Sequence, residues 1–157
     1  MGDSGASGIV RLPDEARVID VGGFDVVVLA DTIDTESAFS LIETREVAAG
    51  MGPPLHIHRD CAESFYVIHG EYRFHLDGRD FICSAGSFVY VPLGLTHTFS
   101  SLMPGSRKLN LYTPAAMVGY FDELALGINA GMDEAALDAI AGRYGMEVVG
   151  PVPEGYL

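Results

Sequence analysis

Between Arg17 and Tyr112 the chain is a succession of short runs rich in Val, Ile, Phe and Tyr, cut by Gly, Pro and Asp, with no helical pattern between them. The clearest are Phe24–Leu29, Ala38–Val47, Ser64–Ile68, Tyr72–Leu76, Phe88–Val91, His97–Leu102 and Lys108–Tyr112. Many alternate apolar with polar residues, the period of a strand with one buried face. Asp77-Gly78 follows one of them and is the strongest hairpin signal in the chain, because both residue types tolerate positive φ. Strands this short and closely spaced predict an all-β antiparallel sandwich or barrel. The lack of strand–helix alternation disfavours a doubly wound α/β fold.

The last forty-odd residues change character. Thr113-Pro114 predicts a helix N-cap followed by a first-turn proline. Met117, Tyr120, Phe121, Leu124 and Ile128 then recur at helical spacing. A second helix is expected from Asp133, with Leu137, Ile140 and Tyr144 on one stripe and a stop at Gly145. Pro151 and Pro153 predict an extended tail. The organisation expected is a flexible arm at 1–12, a β domain at 13–113 and a helical extension and tail at 114–157.

Composition narrows the function classes. At 157 residues, 48% hydrophobic and 20% charged, the chain can bury one sizeable core unaided. A formal net charge of −13 opposes phosphate backbones and anionic lipid, so neither nucleic acid nor membrane partners are expected. Two cysteines, Cys61 and Cys83, are too few for a disulfide-framed secreted module. The Gly/Ser-rich start has no basic segment followed by an apolar one, so a cytoplasmic location is expected. Cys61 reads as a small buried hydrophobe. Arg59, Arg73 and Arg79 read as solvated side chains, and His75 as a rim residue.

His56 and His58 stand two apart, so on a strand both rings leave the same face and can chelate one ion. Glu63 follows five residues later at the start of the next strand, and His97, after the Pro92-Leu93-Gly94 turn, can supply a fourth ligand. Three imidazoles and one carboxylate suit a divalent transition metal: Fe, Ni, Mn, Co, Cu or Zn.

The spacings extend beyond the ligands. Gly50-x5-His56-x-His58-x4-Glu63-x6-Gly70 matches the first motif of the cupin family, and Gly86-x5-Pro92-x-Gly94-x2-His97 the second, with fifteen residues between them. Position 101 is Ser where the family's second motif usually ends in Asn. The chain therefore resembles a monocupin, which implies a double-stranded β-helix (jelly-roll) barrel carrying a C-terminal two-helix extension. The run from Glu63 to Gly70 and the ending around Arg143-Tyr144-Gly145 resemble the quercetin-dioxygenase-like members.

That resemblance implies a metal held by His56, His58, Glu63 and His97, with Glu63 doubling as general base. The small-molecule substrate implied is a flavonol or another enolisable hydroxy-ketone or aromatic, opened by dioxygen. The alternatives are a redox-neutral metal-dependent cyclase, isomerase or lyase, or a cupin that binds a small molecule without turnover. Strand parity puts Phe65 and Val67 on the face of Glu63, and Phe99 on that of His97, as candidate pocket lining. The family commonly dimerises, so a homodimer is expected.

Overall fold

The computed structural model describes residues 7–156, so the first half of the expected arm lies outside the described residues. Residues 7–12 form neither helix nor strand, and Arg11 is anchored by the Leu29 carbonyl at 2.7 Å and by Asp34 at 2.9 Å. Ten strands follow: β1 (Arg17–Asp20), β2 (Phe24–Ala30), β3 (Ser40–Glu46), β4 (Leu55–His58), β5 (Ala62–His69), β6 (Glu71–Leu76), β7 (Arg79–Ser84), β8 (Phe88–Val91), β9 (His97–Ser101) and β10 (Arg107–Thr113). Helices α1 (Val118–Asn129) and α2 (Glu134–Arg143) come next, and β11 (Met146–Gly150) closes the fold.

The strands build two antiparallel sheets, in the orders β1-β2-β3-β10-β5-β8 and β11-β4-β9-β6-β7. This is the expected double-sheet barrel with two C-terminal helices. Asp77 and Gly78 form the expected two-residue turn, with φ of 46° and 80°, and join β6 to β7 in a hairpin whose last pair is Leu76 and Arg79.

Two local expectations need correction. Thr113-Pro114 does not start a helix, because Thr113 is still the last residue of β10, paired with Ala62. Helix α1 begins four residues after Pro114, behind Met117 at φ 73°, without a side-chain cap. Residues 146–150, part of the expected helical extension and tail, form a strand, β11, and cover the outer edge of β4. Helix α2 keeps its expected ends: the Asp133 carboxylate caps the Ala136 N–H at 2.9 Å, and Gly145 lies at φ 74°.

Alternation along the strands sets what faces inward. On β3 the buried residues are Ser40, Ile42, Thr44 and Glu46; on β5, Glu63, Phe65 and Val67; on β10, Lys108, Asn110 and Tyr112. The register sets Glu63 opposite Tyr112 and Val67 opposite Lys108, so one end of the interior carries Glu63 and the other Lys108. Buried apolar side chains fall into two clusters. One joins the first sheet to the helices through Val26, Ile42, Tyr112, Phe121 and Ile140. The other fills the barrel with Phe65, Val67, Tyr72, Phe74, Val89 and Val91.

Candidate metal centre

Strand β4 presents His56 and His58 on its inward face, β5 opens with Glu63, and β9 opens with His97, directly paired with His56. The four side chains are each less than 5% exposed, and a ligand atom from each lies within 4.8 Å of the others. Backbone carbonyls orient two of the rings: His56 Nδ1–H donates to Pro54 O at 2.8 Å and His97 Nδ1–H to Leu95 O at 2.9 Å. Each therefore turns Nε2 inward, the arrangement by which an outer hydrogen bond fixes a ligating tautomer. Glu63 Oε2 lies 2.9 Å from His58 Nε2 and 3.2 Å from His97 Nε2.

The electrostatics favour a neutral His56 imidazole beside an ionised Glu63 carboxylate. Burial, reinforced by repulsion from His97 and His58, pulls His56 down to about 3. Burial pushes the Glu63 carboxyl up, but its hydrogen bonds with His58 and His97 outweigh this and hold it well below the usual carboxylate range. An ionised Glu63 can only accept, so the Asn110 side chain must turn its NH2 toward Oε1, 3.0 Å away. Tyr112 lies beside this pair, its hydroxyl kept protonated chiefly by burial and then by the Glu63 charge. A donor set of three ring nitrogens and one carboxylate, with two of the rings held by outer hydrogen bonds, fits a borderline divalent ion.

The cluster opens onto a cavity of about 510 Å³ between the barrel and the helices. Phe24, Phe99, Met117, Phe121 and Leu124 form much of its apolar wall, while α2 contributes Leu137 and β11 contributes Met146 and Val148. Its charged lining residues are Glu46, Glu63, Glu134 and Asp138, with no Lys or Arg among them.

A family model for the cupin domain matches residues 44–106. Over those residues the chain is similar to the cupin domain. Quercetin 2,3-dioxygenase from Bacillus subtilis (strain 168) is 31% identical over 65 residues, 40% of this chain but only 19% of that protein. An RmlC-like cupin from Shewanella frigidimarina superposes with a TM-score of 0.61 at 20% identity, covering 69% of this chain and 93% of that one. A nucleoside dehydratase from Streptomyces superposes with a TM-score of 0.60 at 11% identity and covers 94% of this chain and 96% of that one. The solved structures establish the likeness of fold.

The structure brings together all four residues read as ligands in the cupin motifs, and Phe99 lines the cavity beside them. Phe65 and Val67 share the inward face of Glu63 but pack inside the second apolar cluster, where Phe65 meets Phe74 and Phe99, and do not line the cavity. Ser101, in place of the family's Asn, donates from its hydroxyl to Ala48 O at 2.9 Å and accepts from Met51 N at 3.1 Å, tying down the loop before β4. Cys61 is buried, and burial pushes its thiol up to about 12, so it behaves as an inert hydrophobe. Arg59 pairs with Glu147, Arg73 lies over Tyr156 and Arg79 over Phe81, all away from the cavity. His75 sits at the rim against Asp80 at 2.7 Å.

Sequence reasoning missed Asn110 and Tyr112, although both sit at inward positions of a run it recognised. It also missed that the helices wall the cavity. The stripe from Met117 to Leu124 was visible, but periodicity does not say whether such a stripe faces a packed core or a space.

Proposed function

We propose that this cupin is a metal-dependent enzyme that opens a neutral, enolisable, hydroxyl-bearing aromatic ketone of the flavonol class with dioxygen. The observation that carries this reading is that the His56, His58, Glu63 and His97 cluster faces a cavity with aromatic and aliphatic walls and no lining cation. Anionic substrates find no partner there, whereas a flat apolar ring system with a polar edge matches both the walls and the cluster. The stretch of similarity to quercetin 2,3-dioxygenase supports the same class.

When bound by the four ligands, a divalent transition ion would supply Lewis acidity toward a substrate oxygen and, if redox-active, a route for electrons to dioxygen. Glu63 takes the proton of the substrate's enol hydroxyl at Oε2, the oxygen turned toward the imidazoles. Asn110 holds the other carboxylate oxygen and fixes the direction in which Oε2 points. Phe99, Met117, Phe121 and Leu124 hold the ring system and exclude water, which protects a charged intermediate from premature protonation.

The test is elemental analysis of the untagged protein together with oxygen uptake on a flavonol. About one equivalent of a redox-active metal with flavonol-dependent oxygen uptake is expected. Zinc without oxygen uptake replaces this reading with a redox-neutral cyclase, isomerase or lyase. Metal and ligand binding without turnover leaves a binding cupin. From the family resemblance we also infer a homodimer, to be read as a sedimentation mass of twice the 16.8 kDa chain; the mass of a single chain overturns it.

A further inference from the structure

At the opposite end of the interior from the ligand cluster lies a second buried polar group. Lys108 sits four residues before Tyr112 on β10, about 13 Å along the strand from the Glu63 level. Its ammonium, on a side chain with no exposure, donates to Thr44 Oγ1 and to Glu46 Oε1, both at 2.6 Å. It also stands 3.9 Å from the centre of the Phe99 ring. Thr44 donates on to Glu46 Oε1 at 3.0 Å, and the Tyr72 hydroxyl donates to Glu46 Oε2. Both Thr44 and Glu46 line the same cavity as the ligand cluster, whereas Lys108 does not.

Counting donors and acceptors decides what this group can bind. The three Lys108 protons are used on Thr44, Glu46 and the face of Phe99. Glu46 Oε1 already accepts two hydrogen bonds, but Oε2 accepts only the one from Tyr72. A carboxylate oxygen takes two, so the free capacity on the cavity wall is that of an acceptor. Such a wall takes a hydroxyl or N–H and repels a carboxylate or phosphate. Stability alone gives weak reason for a buried ion pair, since apolar residues of similar volume commonly serve as well.

We propose that Glu46, charged and positioned by Lys108, Thr44 and Tyr72, is a second recognition site that accepts a hydrogen bond from a hydroxyl at the far end of the substrate. The cavity then selects two-ended molecules: an enolisable hydroxy-ketone edge at the His/Glu cluster and a hydroxyl on the part of the molecule turned toward Glu46. This rests on the flavonol reading above and narrows it to members hydroxylated on the ring remote from the ketone.

The experiment compares two flavonols that differ only in the 4′-hydroxyl of the remote ring, titrated into the metal-loaded protein by calorimetry. The hydroxylated compound should bind about tenfold more tightly, as expected for a hydrogen bond to a charged acceptor. In the Glu46→Met/Lys108→Met double variant, which removes both charges at once, that ratio should fall to about one while metal content stays at the unaltered level. Equal affinities for the unaltered protein, or a ratio that survives in the double variant, overturn the inference but leave the metal-site reading standing. Failure of both flavonols to bind overturns the flavonol reading and this inference with it. If the double variant does not fold, Glu46→Gln takes its place, and a ratio that survives there overturns the inference.

Discussion

The two buried polar groups of the cavity differ in how their charges are satisfied. At the Glu63 end, three imidazoles and one carboxylate converge, with backbone carbonyls holding two of the rings so that Nε2 faces inward. At the Glu46 end, a lysine and a carboxylate neutralise each other, and a threonine, a tyrosine and an aromatic face take up most of the remaining capacity. The first gathers ring nitrogens and a carboxylate that could hold a cation; the second is nearly closed and keeps one acceptor. The same barrel interior thus holds two buried polar groups satisfied in different ways.

The largest effect should come from breaking the first end. His97→Ala or His56→Ala removes a ring nitrogen from the cluster, and metal content by elemental analysis should fall from about one equivalent to below a tenth. Oxygen uptake should fall at least 100-fold with it, since the loss of a ligand leaves the metal chemistry without its site.

Breaking the second end in half should come next. Lys108→Met leaves the Glu46 carboxylate buried without its cation, at a cost of about 3–5 kcal/mol in chemical denaturation. Adding Glu46→Met should recover much of that loss. Metal content should not change in either variant, which would show the two ends to be separable.

Acidification sharpens the contrast in the metal-free protein. His56 has an unfolded value near 6.5 and a folded value near 3, so unfolding takes up a proton between these pH values. Stability should be full above about pH 6.5 and fall steadily as the pH drops toward 3; the lowered Glu63 carboxyl acts with the same sign. Urea midpoints of chelator-treated protein at pH 7 and pH 4.5 test this. Metal should steepen the dependence, because it binds only the unprotonated rings and every proton the unfolded chain takes up competes with it.

The smallest effect belongs to a side chain outside both ends. Arg59→Ala breaks only an exposed pair with Glu147, so stability should change by less than about 1 kcal/mol and metal content not at all.

The buried cluster of His56, His58, Glu63 and His97 was legible because the motif spacing encodes it: two histidines of one strand share a face, and glycines bracket the turns that bring β5 and β9 beside them. The hairpin at Asp77-Gly78 and the limits of α2 were legible for the same kind of reason, a backbone preference written in one or two residues. Thr113-Pro114 misled because sheet pairing with Ala62 outweighed a helix-start preference. Strand β11 stayed hidden because its five residues become a strand only when the open edge of β4 lies beside them.

The sequence by itself determined an all-β barrel with two terminal helices, the four residues that converge in its interior and the acidic character of the chain. These follow from local periodicity, turn chemistry and fixed spacings. Only the tertiary structure decided that the helices wall a cavity, that Phe65 and Val67 belong to packed core, and that Glu46 meets Lys108. Those relations join residues far apart in the chain, Glu46 and Lys108 by 62 positions, and they depend on which strand pairs with which and in what register. A buried lysine in an alternating run has no meaning until the partner strand supplies its carboxylate.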